Sequence, residues 1–215
     1  MADGATTGTM ELLERSAQLD ALDGHLAAVG EQGRGRLVLV AGEAGIGKTA
    51  LVRAFCAPGR PGRVLWGACD ALLTPRPLGP FVDIADEVGG ELATVVAEGG
   101  APGALLAALT RSLRGRPPDV VVLEDLHWAD EATLDVLRLM ARRIESLPAL
   151  VLVTYRNDEI DPRHPLRIVL GELPSGAAAR LALAPLSAQG VAELAGAVGI
   201  DPAELHRRTA GNRST

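Results

Sequence analysis

The sequence predicts a three-layer α/β domain built around a five-stranded, largely parallel sheet. Three observations favour this fold class. Short, continuous apolar runs recur along the 215-residue chain, as expected for strands that are buried on both faces. Segments with apolar residues at helical spacing separate these runs. The core must be built mainly from Leu, Val, Ile and Ala, because aromatic residues make up only 2% of the chain and hydrophobic residues 47%.

Five apolar runs are the predicted strands, and turns or segments of helical periodicity lie between them. The predicted strands are 37–40, 64–66, 120–123, 150–154 and 181–183. Helical spacing predicts the helices, for which Ser16 and Asp130 are candidate N-caps. The predicted helices are 16–29, 48–56, 81–97, 103–113, 131–147, 187–198 and 202–209. Closely spaced prolines predict an irregular loop over 70–80.

Charge and composition argue against several classes of function. The formal net charge is −6, so the chain is a poor candidate for binding nucleic acid over its whole surface, and it lacks the aromatic residues of a stacking platform. No apolar run approaches the roughly 18 residues that a membrane span needs. Residues 1–10 are predicted to be a disordered leader and not a signal peptide. Cys56 and Cys69 are expected to be reduced thiols, which favours a cytoplasmic protein.

The segment GEAGIGKT, residues 42–49, matches the phosphate-binding pattern G-x-x-x-x-G-K-[ST] between a predicted buried strand and a predicted helix. In such a loop, backbone N–H groups surround an anion, the lysine reaches the β- and γ-phosphates, and the hydroxyl binds Mg²⁺. Lys48 is the only lysine among 21 basic residues, so chance is a poor explanation. A dinucleotide-binding glycine loop is the competing motif, but it needs no lysine. The predicted nucleotide-binding residues are Gly42, Glu43, Ala44, Gly45, Ile46, Gly47, Lys48, Thr49 and Ala50.

Glu124 and Asp125 directly follow the predicted strand 120–123. Two adjacent acids at the end of a buried strand indicate a bound cation, and an exposed acid pair at the sheet edge is the alternative. Both acids are candidate catalytic residues and, with Thr49, candidate Mg²⁺ ligands, partly through water. By position, Glu124 is the predicted metal-side carboxylate and Asp125 the predicted acid that polarises the attacking water.

Two further polar residues are predicted at the same edge of the sheet. His127 is a candidate γ-phosphate sensor or general base, and a packed or hydrogen-bonded loop histidine is the alternative. Arg156 follows Thr154 at the end of the fourth predicted strand, where a basic group can contact the γ-phosphate. Arg156 is therefore the third candidate catalytic residue, and an ion pair with Asp158 or Glu159 is the alternative.

The runs GEAGIGKTALVRAF, VVVLEDLHWADEATLDVLRLMARR and LVLVTYRNDE, followed by HPL, are similar to the AAA-type ATPase domain of the large ATP-binding LuxR-type transcriptional regulators. These regulators are signal-transduction (STAND) NTPases of the additional-strand P-loop class. The resemblance covers about residues 11–212, and EDLHWAD is its most specific motif. It implies ATP with Mg²⁺, slow hydrolysis used as a switch, and a five-stranded parallel sheet. In that sheet, the strand before Lys48 is expected to lie next to the strands of Glu124 and Arg156.

The resemblance also implies a domain organisation. Residues 1–10 form the leader, 11–184 the P-loop ATPase core, and 185–215 the beginning of a helical lid subdomain that is expected to be truncated. In the family, a winged-helix region, a sensor array and a DNA-binding helix-turn-helix follow. DNA contact is therefore expected only through a domain absent from this chain, and the core is a candidate surface for self-association. Two departures are Glu14, in place of the glycine of a Gly-Arg pair near the adenine, and Arg213, in place of a proline.

These expectations favour an ATP-binding and slowly ATP-hydrolysing switch module, in which hydrolysis moves the helical part beyond Pro185. Three alternatives are open. A stand-alone P-loop kinase or nucleotide transferase needs an acceptor pocket, for which no residues can be identified. A replication-initiator-like ATPase that loads DNA is disfavoured by the net acidity. A degenerate domain would bind nucleotide without turnover.

Overall fold

A sheet of five parallel strands forms the middle layer of the computed structural model, which describes residues 12–58, 62–113 and 117–198. The strands are β1 (Arg36–Gly42), β2 (Val64–Ala68), β3 (Asp119–Glu124), β4 (Ala149–Arg156) and β5 (Ala178–Ala182). Their spatial order is β2-β3-β4-β1-β5, and every neighbouring pair is parallel. The predicted fold class is confirmed. The predicted leader, the predicted helix 202–209 and Arg213 lie outside the described residues.

Helices cover both faces of this sheet. They are α1 (Ser16–Gln32), α2 (Lys48–Phe55), α3 (Gly79–Val88), α4 (Gly90–Ala97), α5 (Pro102–Ser112), α6 (Glu131–Arg142), α7 (Pro165–Glu172) and α8 (Ala188–Val198). Leu22 and Phe55 of α1 and α2 belong to one core cluster, and Phe81 and Leu109 of α3 and α5 belong to the other. Strand residues alternate between the clusters, which explains the continuous apolar runs. Within the described ranges, no helix is long and apolar enough to cross a membrane.

Several predicted helices differ in their bounds from the structure, and the predicted helix 131–147 ends at Arg142, with a separate 3-10 turn over Ile144–Ser146. The predicted helix 81–97 is wrong as one element, because Gly89 and Gly90 adopt φ angles of 69° and 61° and separate α3 from α4. These left-handed conformations suit glycine and interrupt an α-helix. Ser16 is the first residue of α1 and not its N-cap, a position that Arg15 occupies without a side-chain hydrogen bond. Asp130 caps α6 as predicted, accepting from two backbone N–H groups of the first turn.

The C-terminal part of the described chain differs from the predicted elements in two more places. The fifth strand comprises Ala178–Ala182, so the predicted run 181–183 is displaced toward its C-terminal end. The helix α7 was not among the predicted elements. His164 caps it by accepting from the Leu166 N–H at 3.2 Å, and Pro165 occupies its first position, where the missing N–H costs nothing.

The strand order brings three functional strand ends to one edge. β1 pairs with β4 in a register that places Gly42 opposite Arg156. β4 also pairs with β3, with Val153 opposite Leu123. The strand before Lys48 therefore lies next to the strand of Arg156, but β4 separates it from the strand of Glu124. The expectation that β1 neighbours both strands is wrong for Glu124.

Replacing Gly67 by alanine is expected to destabilise the fold. A Cβ atom there would lie 1.9 Å from the carbonyl oxygen of Pro80 at the start of α3, so the backbone must shift. Such overpacking costs about 3 kcal/mol, or a fall in Tm of roughly 6–12 °C for a domain of this size. Thermal unfolding followed by circular dichroism measures the change.

Gly24→Ala is the matched control for Gly67→Ala. Its Cβ would meet nothing within 4 Å, and the residue lies inside α1. Alanine is the better helix former, so a gain of about 0.5–1 kcal/mol is expected. Equal effects of the two substitutions would contradict the close approach of β2 to α3.

Candidate nucleotide-binding site

The P-loop, residues 42–49, connects β1 to α2 along the C-terminal edge of the sheet. Gly45 and Gly47 adopt φ angles of 71° and 97°, which residues with a Cβ atom rarely reach. Gly47 is the N-cap of α2, and no side chain in the described part of the chain caps that helix. The backbone N–H groups of its first turn are therefore available to an anion. Ile46 anchors the loop in the core cluster of α1 and α2.

Lys48 is the first residue of α2, and its side chain folds over the loop. Its Nζ donates hydrogen bonds to the carbonyl oxygens of Gly42 and Glu43, at 2.8 and 2.7 Å. Burial lowers the pKa of this ammonium group, while the nearby carboxylate of Asp125 opposes that shift. A phosphate group in the loop would offer the ammonium a charged acceptor, which forms a stronger hydrogen bond than a neutral carbonyl.

Glu124 ends β3 and lies directly against the P-loop helix. The Thr49 hydroxyl donates to its Oε1, and the indole Nε1 of Trp66 donates to its Oε2 at 2.9 Å. The residue is only 8% exposed, so Glu124 is not part of an exposed acid pair. Trp66 was not predicted as a site residue. The signal that could have identified Trp66 is the strand register, because Ala68 pairs with Glu124 and Trp66 lies on the same face of β2 as Ala68.

Asp125 turns the chain away from β3 in a left-handed conformation, with φ of 55°. Its backbone N–H donates to Oγ1 of the buried Thr154 at 2.9 Å, which fixes this turn to β4. The side chain keeps 25% of its surface exposed. Burial, and then the neighbouring Glu124, raise the pKa of the Asp125 carboxyl, whereas Arg156 and Lys48 lower it. A raised pKa makes this carboxylate a better proton acceptor.

Arg156 lies at the end of β4 opposite Gly42, and its side chain is paired with an acidic neighbour. Its Nη1 donates to Oε1 of Glu159, and the guanidinium carbon lies 4.8 Å from the ring centroid of Trp128. The structure therefore shows the ion pair of Arg156 with Glu159, which was the alternative to a contact with the γ-phosphate. Arg156 nevertheless acts on the site, since its charge lowers the pKa of Asp125.

A family model described as AAA ATPase domain matches residues 11–153 of this chain, about two thirds of its length. The matched range contains the P-loop, Glu124 and Asp125. The chain belongs to the AAA ATPase domain family. An uncharacterized protein of Rhizobium meliloti (strain 1021) is 40% identical over 76 residues, which are 34% of this chain and 7% of that protein.

Solved structures share the fold of this AAA ATPase domain. The ORC1 protein of Aeropyrum pernix in complex with DNA has a TM-score of 0.60 and 22% identity, covering 90% of this chain and 50% of that chain. The ORC2 protein of the same organism, in ADPNP and ADP complexes, has a TM-score of 0.60 and 17% identity, covering 91% of this chain and 53% of that chain. This chain spans about half the length of these solved chains. At such identities, the similarity supports the P-loop ATPase fold alone.

The donor set of the AAA ATPase domain fits Mg²⁺ bound together with a nucleotide. Across the described residues, no group of three or more His, Cys, Asp or Glu side chains could hold a metal ion by itself. Mg²⁺ in nucleotide sites usually keeps several waters and binds one or two carboxylates together with phosphate oxygens. The buried carboxylate of Glu124 beside the Thr49 hydroxyl offers that combination.

Arg15 and Glu14 join the P-loop to the segment that leads into α8. The guanidinium of the buried Arg15 donates to the carbonyl oxygens of Ile46 and Ala184, at 3.3 and 2.8 Å. Glu14 has a φ of 56°, a conformation that glycine adopts with less strain. Its carboxylate accepts from the backbone N–H of Ser187 at 2.8 Å and from the Ser187 hydroxyl. The departure noted at Glu14 is therefore a contact with α8, which sequence reasoning did not predict.

His127 is a packed histidine in the turn after Asp125. Its side chain is 1% exposed, and neither ring nitrogen has a hydrogen-bond partner among the described residues. Nε2 lies 3.5 Å from a carboxylate oxygen of Glu159. Burial lowers the pKa of His127 to about 4, although Glu159 opposes that shift. The imidazole is therefore neutral at pH 7.

Proposed function

We propose that this chain is the ATP-binding and slowly ATP-hydrolysing switch module of a LuxR-type STAND transcriptional regulator. The observation that carries the proposal is the placement of the P-loop beside an acid pair whose first member, Glu124, is buried and bonded to Thr49. The specific combination of this loop with EDLHWAD supports the regulator class, and the AAA ATPase domain supports the chemistry.

In this proposal, backbone N–H groups of the P-loop and Lys48 bind the β- and γ-phosphates of ATP. Thr49 and Glu124 would hold Mg²⁺, with Asp125 taking part through water, and the ion when bound would neutralise charge on the phosphates. Asp125 orients and polarises the attacking water, since it is the more exposed of the two acids and has a raised pKa. Arg156 contacts the γ-phosphate after leaving Glu159, and this exchange reports whether the γ-phosphate is present.

The proposed switch divides the chain into an ATPase core, residues 11–184, and the beginning of a helical lid, residues 185–215. One contact crosses this division, because Glu14 binds Ser187. Two more contacts tie the last residues of the core to β1 and the P-loop: Leu183 donates its N–H to Ala41 of β1 at 2.9 Å, and Arg15 bridges Ile46 and Ala184. A change in the P-loop therefore has a direct route to α8.

The remaining parts of the proposal concern partners and location. DNA is contacted through a C-terminal domain outside this chain, and the ATPase core provides the surface for self-association. A transcriptional regulator of this class acts in the cytoplasm. A replication-initiator-like ATPase is the second candidate, because the ORC1 structure that shares the fold is described in complex with DNA.

The test combines phosphate release with hydrogen exchange of α8 in the presence of ADP and of a non-hydrolysable ATP analogue. Slow phosphate release and an exchange rate of α8 that differs between the two nucleotides are expected. Identical exchange with both nucleotides would rule out the switch. Rapid transfer to a small acceptor supports a kinase, tight binding without release supports the degenerate domain, and turnover stimulated by duplex DNA supports the initiator.

Replacing Ser187 by alanine is expected to loosen α8 without weakening ATP binding. The Ser187 hydroxyl accepts from the Gly190 N–H at 3.1 Å and donates to Glu14, so it caps α8 and ties it to the N-terminal segment. Losing such a cap costs about 1 kcal/mol, which speeds hydrogen exchange of α8 about fivefold. Ser175→Ala, at an exposed serine, is the control, and equal exchange in both variants would contradict the role of the cap.

A further inference from the structure

We infer that Trp66 is a positioning residue that holds the Glu124 carboxylate in place for Mg²⁺ binding. The inference rests on the proposed function and adds a residue outside the P-loop and the acid pair. The indole N–H of Trp66 on β2 donates to the second oxygen of the buried Glu124 carboxylate on the neighbouring strand β3.

The contacts of Glu124 carry the argument. Its Oε1 accepts from Thr49 and its Oε2 accepts from Trp66 at 2.9 Å, so each oxygen has its own donor. A glutamate side chain has several rotatable bonds, and leaving it unrestrained costs conformational entropy when it binds a ligand. Two donors from different elements, α2 and β2, leave the carboxylate one orientation.

The two donors of Glu124 differ in one respect that gives Trp66 its importance. The Thr49 hydroxyl is itself a proposed Mg²⁺ ligand: it can donate its proton to Glu124 while its oxygen lone pairs bind the metal, so its position depends on the metal. The indole N–H is a donor only and cannot bind a cation, so its bond to Glu124 does not depend on the metal. Arg53 lies 6.0 Å from the centroid of the indole ring, and the Cys69 N–H donates to the Glu124 carbonyl oxygen at 2.9 Å, which keeps the end of β2 against β3.

The experiment measures the affinity of a non-hydrolysable ATP analogue at a series of Mg²⁺ concentrations, in the whole chain and in Trp66→Phe. Phenylalanine keeps an aromatic ring and removes the donor. A hydrogen bond to a charged group is lost, so the Mg²⁺ concentration at the midpoint should rise about tenfold. Affinity for the analogue in EDTA should stay within twofold, because the Trp66 indole N–H donates to Glu124 and not to the P-loop.

A merely structural role for Trp66 would give a different pattern. Trp128→Phe makes the same chemical change at the edge of the site without a bond to Glu124, so its Mg²⁺ midpoint should match the wild type. The double variant Trp66→Phe/Glu124→Gln should have the same midpoint as Glu124→Gln alone, since Trp66 then has no carboxylate to hold. An additive shift in the double variant, or no shift in Trp66→Phe, would overturn the inference.

A second readout does not depend on the folding of Trp66→Phe. In the Trp128→Phe variant, Trp66 is the remaining tryptophan of the chain, which has two. Its fluorescence should change when Mg²⁺ is added to the analogue complex, and no change would overturn the inference.

If the wild-type chain fails to bind the analogue at any Mg²⁺ concentration, the proposed function fails. Binding with an unchanged midpoint in Trp66→Phe contradicts only the role of Trp66.

Discussion

Replacing Lys48 by alanine is expected to weaken ATP binding about 100-fold and to reduce hydrolysis below detection. The ammonium group lies over the P-loop on the carbonyls of Gly42 and Glu43, within reach of any phosphate that enters the loop. Hydrogen bonds to charged groups contribute about 1.5–3 kcal/mol each, and losing this donor corresponds to about 3 kcal/mol. Isothermal titration calorimetry measures the affinity, and phosphate release measures the turnover.

Two control variants test whether ATP binding depends on an ammonium group at position 48 or only on positive charge in general. Lys48→Arg keeps the charge but brings a longer, planar group into a loop shaped for a compact ammonium, so it should not restore binding. Arg163→Ala removes a positive charge from an exposed residue after β4 and should bind ATP as the wild type does. Equal affinity of the wild type and Lys48→Ala would refute the nucleotide site.

Replacing Asp125 by asparagine should lower ATP turnover by about two to three orders of magnitude while ATP still binds. General acid–base groups contribute rate factors of roughly this size. Asparagine keeps the shape and the backbone bond to Thr154, but it cannot accept a proton. Affinity should remain or increase, because a negative charge near the phosphates is removed. Single-turnover phosphate release with excess enzyme separates the chemical step from binding.

Asp158→Asn is the matched control for Asp125→Asn. Asp158 is an exposed acid just beyond β4, and its charge acts on Lys48 only at a distance. Turnover of this variant should stay within twofold of the wild type. If Asp125→Asn hydrolyses ATP at the wild-type rate, Asp125 is not the acid that polarises the attacking water.

The sheet was predictable because its central strands are buried on both faces. β3 and β4 contain unbroken apolar runs, as strands buried on both faces do. The break between α3 and α4 was missed because apolar residues on both sides keep helical spacing across Gly89 and Gly90. The helix α7 was missed because it has only eight residues, three of them buried, and too few turns to show a period.

The candidate site was predictable where its chemistry is local in sequence. The P-loop and the acid pair each lie within one short motif, and the structure brings Thr49 and Glu124 together across 75 residues. The partners that fix these groups were not predictable, because they depend on side-chain direction and strand register. Trp66 reaches Glu124 from another strand, and Arg15 reaches Ile46 from the N-terminal segment.

The solitary lysine of this chain makes the site open to chemical footprinting. Lys48 carries the only ε-amine of the chain; the residue is 6% exposed, and the amine is bonded to backbone carbonyls. An amine-selective acylating reagent therefore has one side-chain target, which lies where the triphosphate is proposed to bind. Its rate of acylation, read by mass spectrometry on the peptide that contains Lys48, would report occupancy of the loop in a mixture of partners without any engineered label.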